Sequence, residues 1–215
     1  MRSVKQFYSS FDFERVVTDG PAPIQEFLDE ELRFLKNHIQ DHRDILEIGC
    51  GYGRLIKELA PKARAIAGVD YSHTLLEKAR QELRNHHNVA LYLQHAEEFM
   101  PKSKFDYVIC MDATFGNMPG IEQQVLHNMY DACKSSGEVI LSVFSEQARD
   151  AQIANYKRIG LTGITDLGNA ITTAEGMYSR RFSKKELTEL MQVVGLECSV
   201  SKLCPINYVA IGRKK

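Results

Sequence analysis

The sequence predicts an α/β domain built on a doubly wound, mostly parallel sheet with helices on both faces. Short apolar runs alternate with segments of helical periodicity from residue 44 to residue 144, the pattern of strands joined by right-handed helical crossovers. One apolar run, Ile45-Leu46-Glu47-Ile48, leads directly into Gly49-Cys50-Gly51-Tyr52-Gly53-Arg54, a glycine-rich turn that opens a helix. In sheets of this kind ligands bind at the carboxyl ends of the strands, where the strand order reverses. Every motif described below falls at such an end.

The elements follow in order. Ile24, Phe27, Leu28, Leu35 and Ile39 recur at helical spacing after Pro21 and Pro23, which predicts an amphipathic helix over residues 24–40. Strands are expected over 44–48, 65–69, 89–93, 105–110 and 137–144, and helices over 53–60, 73–86 and 121–133. Residues 1–20 lack a clear period but hold Phe7, Tyr8, Phe11 and Phe13, too many aromatic residues for a free tail. With the helix that follows, residues 1–43 form a cap segment ahead of the first strand.

From residue 145 to 182 the alternation stops. A helix over 146–159 leads into a stretch punctuated by Gly160, Gly163, Gly168 and Gly176, which is read as a lid insertion, with a surface excursion as the alternative. Ser183 and Glu186 make a capping box for a helix that ends at Val194 before Gly195. Strands near 196–202 and 206–212, joined through Cys204-Pro205, close the chain as an antiparallel hairpin. The whole of 1–215 is expected to be a single domain.

Composition narrows the function classes. The chain has 215 residues, 27 basic against 28 acidic, and a formal net charge of -1, so it lacks the positive field of a nonspecific nucleic-acid binder and no DNA partner is expected. No stretch approaches the roughly 20 apolar residues that span a bilayer, and the first residues carry no apolar run of signal-peptide length. A cytoplasmic protein, monomeric or homodimeric and without a membrane partner, is expected. Five cysteines, none in a CxxC pair, indicate neither a disulfide framework nor a zinc site. His86-His87 diverge by about 100° on a helix and point to no metal.

Glycines at alternate positions let the backbone turn sharply and keep side chains away from a bound nucleoside. Asp70 follows Ala65-Ile66-Ala67-Gly68-Val69 at the end of the next strand, where a carboxylate accepts both hydroxyls of a ribose. Together they point to an adenosine-containing cofactor. A dinucleotide site requires a third glycine at the sixth place, and here that place is Arg54. Asp70 also suits the start of the helix that follows, which is its structural alternative.

With Glu47 ahead of it, the turn resembles motif I of the class I S-adenosylmethionine-dependent methyltransferases, an acidic residue followed by xGxGxG. The resemblance continues to about residue 144 and into the closing hairpin, and implies a Rossmann-like sheet of seven strands. It implies that Gly49, Gly51 and Gly53 lie against the methionine part of S-adenosylmethionine, or of its product S-adenosylhomocysteine. It implies also that Asp70 holds the ribose, that Glu47 fixes the loop or meets the amino group through water, and that Tyr71 stacks on adenine. Cys50 and Tyr52 are expected to present backbone amides to the ligand. After the third strand the family places an acid where this chain has His95, so the adenine contact falls to His95, to Glu97, or to the Ala96 amide.

The family's residues nearest the transferring methyl follow the fourth strand, here Met111-Asp112-Ala113-Thr114-Phe115-Gly116-Asn117. Met111 is expected against the cofactor and Asn117 against the substrate. The [DN]-P-P-[YF] tetrapeptide of enzymes that methylate base or glutamine amino groups is absent, which favours a small-molecule acceptor. Asp112, at the strand end, is the candidate catalytic base or orienting acceptor, with a loop-stabilising role as its alternative. Tyr178 and Arg180 in the insertion, and Tyr8 in the N-terminal segment, are further candidate substrate contacts. Arginine clamps a carboxylate or phosphate, though adjacent arginines also suit a solvated surface, and Tyr8 also suits packing on the first helix. A protein or RNA methyltransferase of the same fold, a noncatalytic cofactor-binding module, and a nicotinamide-dependent oxidoreductase are the competing readings.

Overall fold

A computed structural model describes residues 4–11 and 14–214; Phe13, one of the aromatic residues that argue against a free N-terminal tail, lies outside them. The chain begins with helices α1 (Val4–Ser10), α2 (Glu14–Asp19) and α3 (Ala22–His38). Proline sits in the first turn of α3, where a missing N–H costs nothing, and Ile24, Phe27, Leu28 and Leu35 form its buried stripe. Then follow β1 (Asp44–Ile48), α4 (Arg54–Leu59), β2 (Ala65–Asp70), α5 (His73–Glu82), β3 (Val89–Leu93), β4 (Phe105–Cys110), α6 (Glu122–Ala132) and β5 (Cys133–Ser145). The insertion holds α7 (Arg149–Arg158), β6 (Thr165–Asp166), β7 (Ala170–Thr172) and β8 (Tyr178–Phe182), and the chain closes with α8 (Lys184–Val193), β9 (Leu196–Ser201) and β10 (Asn207–Lys214).

Strands β3-β2-β1-β4-β5 run parallel, β10 is antiparallel to β5, and β9 is antiparallel to β10. This is the expected seven-stranded sheet with its antiparallel hairpin. Strand order reverses between β1 and β4, so the carboxyl ends of β1, β2 and β4 meet at one crevice.

Adjacent residues on the central strands face opposite layers, as the strand period demands. Leu46, Val108 and Leu141 pack with Leu126 of α6 and Leu187 of α8. Ile45, Ile109 and Ile140 pack with Leu35 of α3, Leu59 of α4 and Leu76 of α5. Each such fully buried side chain contributes about 1.5–3 kcal/mol, which is why β1 reads as a near-continuous apolar run rather than an alternation.

The insertion is more regular than its glycines indicate. β5 continues past the end of β4, and its last residues Phe144 and Ser145 pair in parallel with Arg181 and Phe182 of β8. β8, β7 and β6 then form an antiparallel meander. Strands of two or three residues are too short to show a period-2 pattern, so the sequence presents them as loop.

Candidate active site

The glycine turn follows from backbone conformation. Gly49, Gly51 and Gly53 all have positive φ, at 73°, 52° and 84°, the region that L side chains avoid. A Cβ on Gly49 lies 2.4 Å from Thr114 Cγ2, and one on Gly53 lies 2.8 Å from Leu83 Cδ1. The first glycine thus keeps the turn against the end of β4, and the third keeps α4 against α5.

Asp70 is wired into that turn. Its Oδ2 accepts from the Gly51 amide at 2.9 Å and its Oδ1 from the Ser72 amide at 2.8 Å. The cap of α5 is Ser72, whose hydroxyl accepts from Leu75 N at 3.3 Å. Asp70 therefore bridges two backbones, and each oxygen keeps a further acceptor site. Burial raises its pKa, against the lowering effect of the amides it binds. The Cys50 amide is spent differently: it donates to the Val69 carbonyl at 3.1 Å. That corrects the expectation that it is offered to a ligand.

A chain of charges runs behind the turn. Arg54 Nε donates to Asp112 Oδ2 at 3.3 Å while its Nη2 donates to Oδ1, a fork on one carboxylate. Asp112 and Ala113 both have φ of 55°, a conformation uncommon outside glycine, and the Asp112 amide donates to Glu31 Oε2 at 3.1 Å. Burial and the charge of Asp112 push the Glu31 carboxyl well above the usual range. For Asp112 itself burial acts upward, but Arg54 and hydrogen bonding from Glu31 prevail and hold its pKa low. Glu47 is 4% exposed and its Oε2 has no hydrogen-bond partner. Burial, then the charge of Asp112, drives its pKa well up.

These groups open on one cavity. Glu47, Gly49, Gly51, Asp70, Tyr71 and Asp112 line it at the strand ends, with Cys50 and Ala96 beside them. Apolar side chains, Phe7, Phe27, Phe144, Ile159 and Met177, line the same cavity. Helix α1 is fastened on two sides. Tyr8 OH donates to the Tyr178 carbonyl at 2.7 Å on the insertion side, while Lys5 pairs with Glu97 at 2.9 Å and Ser72 Oγ donates to the Ser9 carbonyl at 3.2 Å on the other.

Tyr8 and Asn117, two of the candidate substrate contacts, also line the cavity. Six other expected residues stand off its wall. Gly53 serves the helix packing described above, and Met111 is buried with its carbonyl accepting Thr114 N. His95 stacks on the Tyr71 ring, centroids 5.1 Å apart and planes at 14°, behind Tyr71 as seen from the cavity lining. Glu97 is held by Lys5, and Tyr178 contributes a carbonyl to Tyr8. Arg180 is committed to Glu122 at 3.0 Å, to Glu186, and to the face of Phe182. A guanidinium so neutralised does not clamp an anion in the cavity.

The sequence reading missed Glu31, the Arg54 fork, Thr114, Met118, and the wall of Asn155, Tyr156 and Ser179. A helix whose inward residues are polar carries no apolar stripe to reveal its facing. Among the described residues no His, Cys, Asp and Glu group is arranged to hold a metal, and no helix is long and apolar enough to cross a membrane.

A family model described as a methyltransferase domain matches residues 45–137. The chain is 24% identical over 133 residues to malonyl-[acyl-carrier protein] O-methyltransferase 1 of Ilyobacter polytropus, covering 60% of this chain and 48% of that protein. It is 23% identical over 185 residues to a ubiquinone biosynthesis O-methyltransferase of Coxiella burnetii, covering 78% and 76%. The chain thus spans about half the length of the first relative and three quarters of the second. Its fold is similar to the structure titled DhpI-SAM-HEP complex, with TM-score 0.71 and 17% identity over 99% of both chains.

Proposed function

We propose that this chain is a class I S-adenosylmethionine-dependent methyltransferase that transfers a methyl group to a small-molecule acceptor. The observation that carries the reading is the pairing of Asp70 with the glycine turn on the cavity that also holds the unpartnered Glu47 oxygen. A buried carboxylate oxygen without a donor marks the place of a missing cation or N–H group. When bound, S-adenosylmethionine supplies a methyl group on a positively charged sulfur, open to in-line attack.

The residues present fit that group. Asp70 keeps acceptor capacity for the ribose diol, Glu47 for the amino group, and the Tyr71 ring lines the same cavity, available to adenine. Asp70 and Asp112 stand on the lining with the Glu47 carboxyl against one arginine, a balance that favours a cationic ligand.

The protein's part in such a displacement is alignment and exclusion of water. The apolar wall and the α1 strap supply the exclusion. Asp112, kept ionised by Arg54, is a weak base, so its role is to orient the acceptor or the groups beside it rather than to carry its proton away. Both relatives named above are O-methyltransferases, which supports an oxygen acceptor. We place the protein in the cytosol, as a monomer or homodimer.

The test is release of S-adenosylhomocysteine from S-adenosylmethionine across pooled metabolites. Label in a small-molecule fraction supports the reading; label only in added protein or RNA replaces it with macromolecular methylation.

A further inference from the structure

Helix α7 buries three side chains, Gln152, Asn155 and Tyr156, and all are polar. At spacings of three and four they share one face. Two are satisfied within the protein. Gln152 Nε2 donates to Ser179 Oγ at 3.1 Å and its Oε1 accepts from Arg181 Nη1 at 2.8 Å, while the Tyr156 hydroxyl accepts from Gln152 at 3.4 Å. The third differs. Asn155 is 1% exposed, lies on the cavity wall, and its Oδ1 has no partner.

A buried amide oxygen without a donor is costly, and a ligand that brings an O–H or N–H removes that cost. The surroundings restrict the ligand further. Tyr156 and Ser179, the polar wall residues grouped with Asn155, are already bonded to Gln152, and Phe7, Phe27, Phe144, Ile159 and Met177 supply apolar lining of the same cavity. Among the described lining residues the acidic and basic groups are Glu47, Asp70, Asp112 and Arg54, and the arginine is forked onto Asp112. A carboxylate or phosphate therefore meets net negative charge and no available cation.

We infer that Asn155 is a specificity-determining residue whose Oδ1 accepts a hydrogen bond from an otherwise apolar, non-anionic acceptor bearing a hydroxyl or amine N–H. The inference rests on reading the cavity as a methyl-transfer site. It deepens that reading by naming the substrate class. A site built around an unpaired acceptor rejects an analogue lacking the donor.

The experiment loads the intact chain with S-adenosylhomocysteine and titrates three probes of one shape: 4-propylphenol, propylbenzene and 4-propylbenzoate. We expect the phenol to bind about tenfold more tightly than propylbenzene, the worth of one hydrogen bond, and the benzoate to bind more weakly than both. In Asn155→Leu the phenol's advantage disappears while affinity for S-adenosylhomocysteine and propylbenzene is kept. Should that variant lose S-adenosylhomocysteine binding, Asn155→Ala removes the oxygen by truncation and is read in the same way. The inference is overturned if the benzoate binds best, if the phenol has no advantage, if none of the three binds, or if the advantage survives both substitutions. The last result assigns Oδ1 to bound water. Failure of the wild-type chain to bind S-adenosylhomocysteine contradicts the methyl-transfer reading instead, and the probes titrated alone then still report on Asn155.

Discussion

The Asp70 carboxylate accepts the Gly51 amide at 2.9 Å, so the acid that ends β2 and the turn that follows β1 form one unit. A ligand held by Asp70 is thereby placed against the turn. Asp70→Ala removes both the acceptor for the ligand and the brace on the loop. Affinity for S-adenosylhomocysteine is expected to fall about 100-fold, the worth of two hydrogen bonds to a charged group. Calorimetry measures it, and a loss below about threefold removes Asp70 from the cofactor site.

Glu47 links the site to pH. Its folded pKa is raised by burial and by neighbouring negative charge, so the folded chain holds a proton that the unfolded chain releases near pH 4.3. This contribution is fully present below that value and is lost as pH rises through the folded pKa. Glu47→Gln is expected to flatten this slope. The variant's Tm without ligand should exceed the wild type's at about pH 8, by roughly 2–4 °C for each kcal/mol relieved, while its affinity for S-adenosylhomocysteine falls about tenfold. A variant melting lower across the whole pH range contradicts the assignment.

Asp112 behaves oppositely, because its folded pKa is lowered. The stability it contributes is present above about pH 3.9 and is lost only as pH falls through the folded value. Methyl transfer should show no acid limb from this residue between about pH 6 and pH 8. Asp112→Asn is expected to reduce kcat at least tenfold with an unchanged pH profile. The loss of the Arg54 pair costs about 1–2 kcal/mol, less than for a fully buried pair because the Asp112 side chain is 34% exposed. An acid limb that disappears in the variant makes Asp112 the base.

Tyr8 fastens α1 to the insertion through its 2.7 Å bond to the Tyr178 carbonyl. Tyr8→Phe deletes that bond and keeps the ring. S-adenosylhomocysteine should dissociate about fivefold faster by stopped-flow fluorescence, with a Tm change of a few degrees, as befits about 1 kcal/mol lost locally. Unchanged dissociation means that α1 does not gate the cavity.

The parts of the fold legible in the sequence are those with a long period or a forced backbone. Ile45 and Leu46 face opposite layers of one sheet, and their apolar run announces a buried parallel strand. Gly49 and Asp70 are readable because a positive φ and a strand-end acid are local requirements. His95 and Arg180 were not readable, since what each does depends on partners distant in sequence: the ring of Tyr71 for one, Glu122 for the other. Asn155 lay hidden for a related reason. A polar residue facing inward looks, in a sequence, like one facing water.

Titration of S-adenosylhomocysteine into the intact chain tests the central claim most directly. The account predicts saturable one-to-one binding that is abolished or weakened about 100-fold by Asp70→Ala. Absence of binding to the wild-type chain at about 1 mM ligand, with the protein folded by its melting transition, contradicts it.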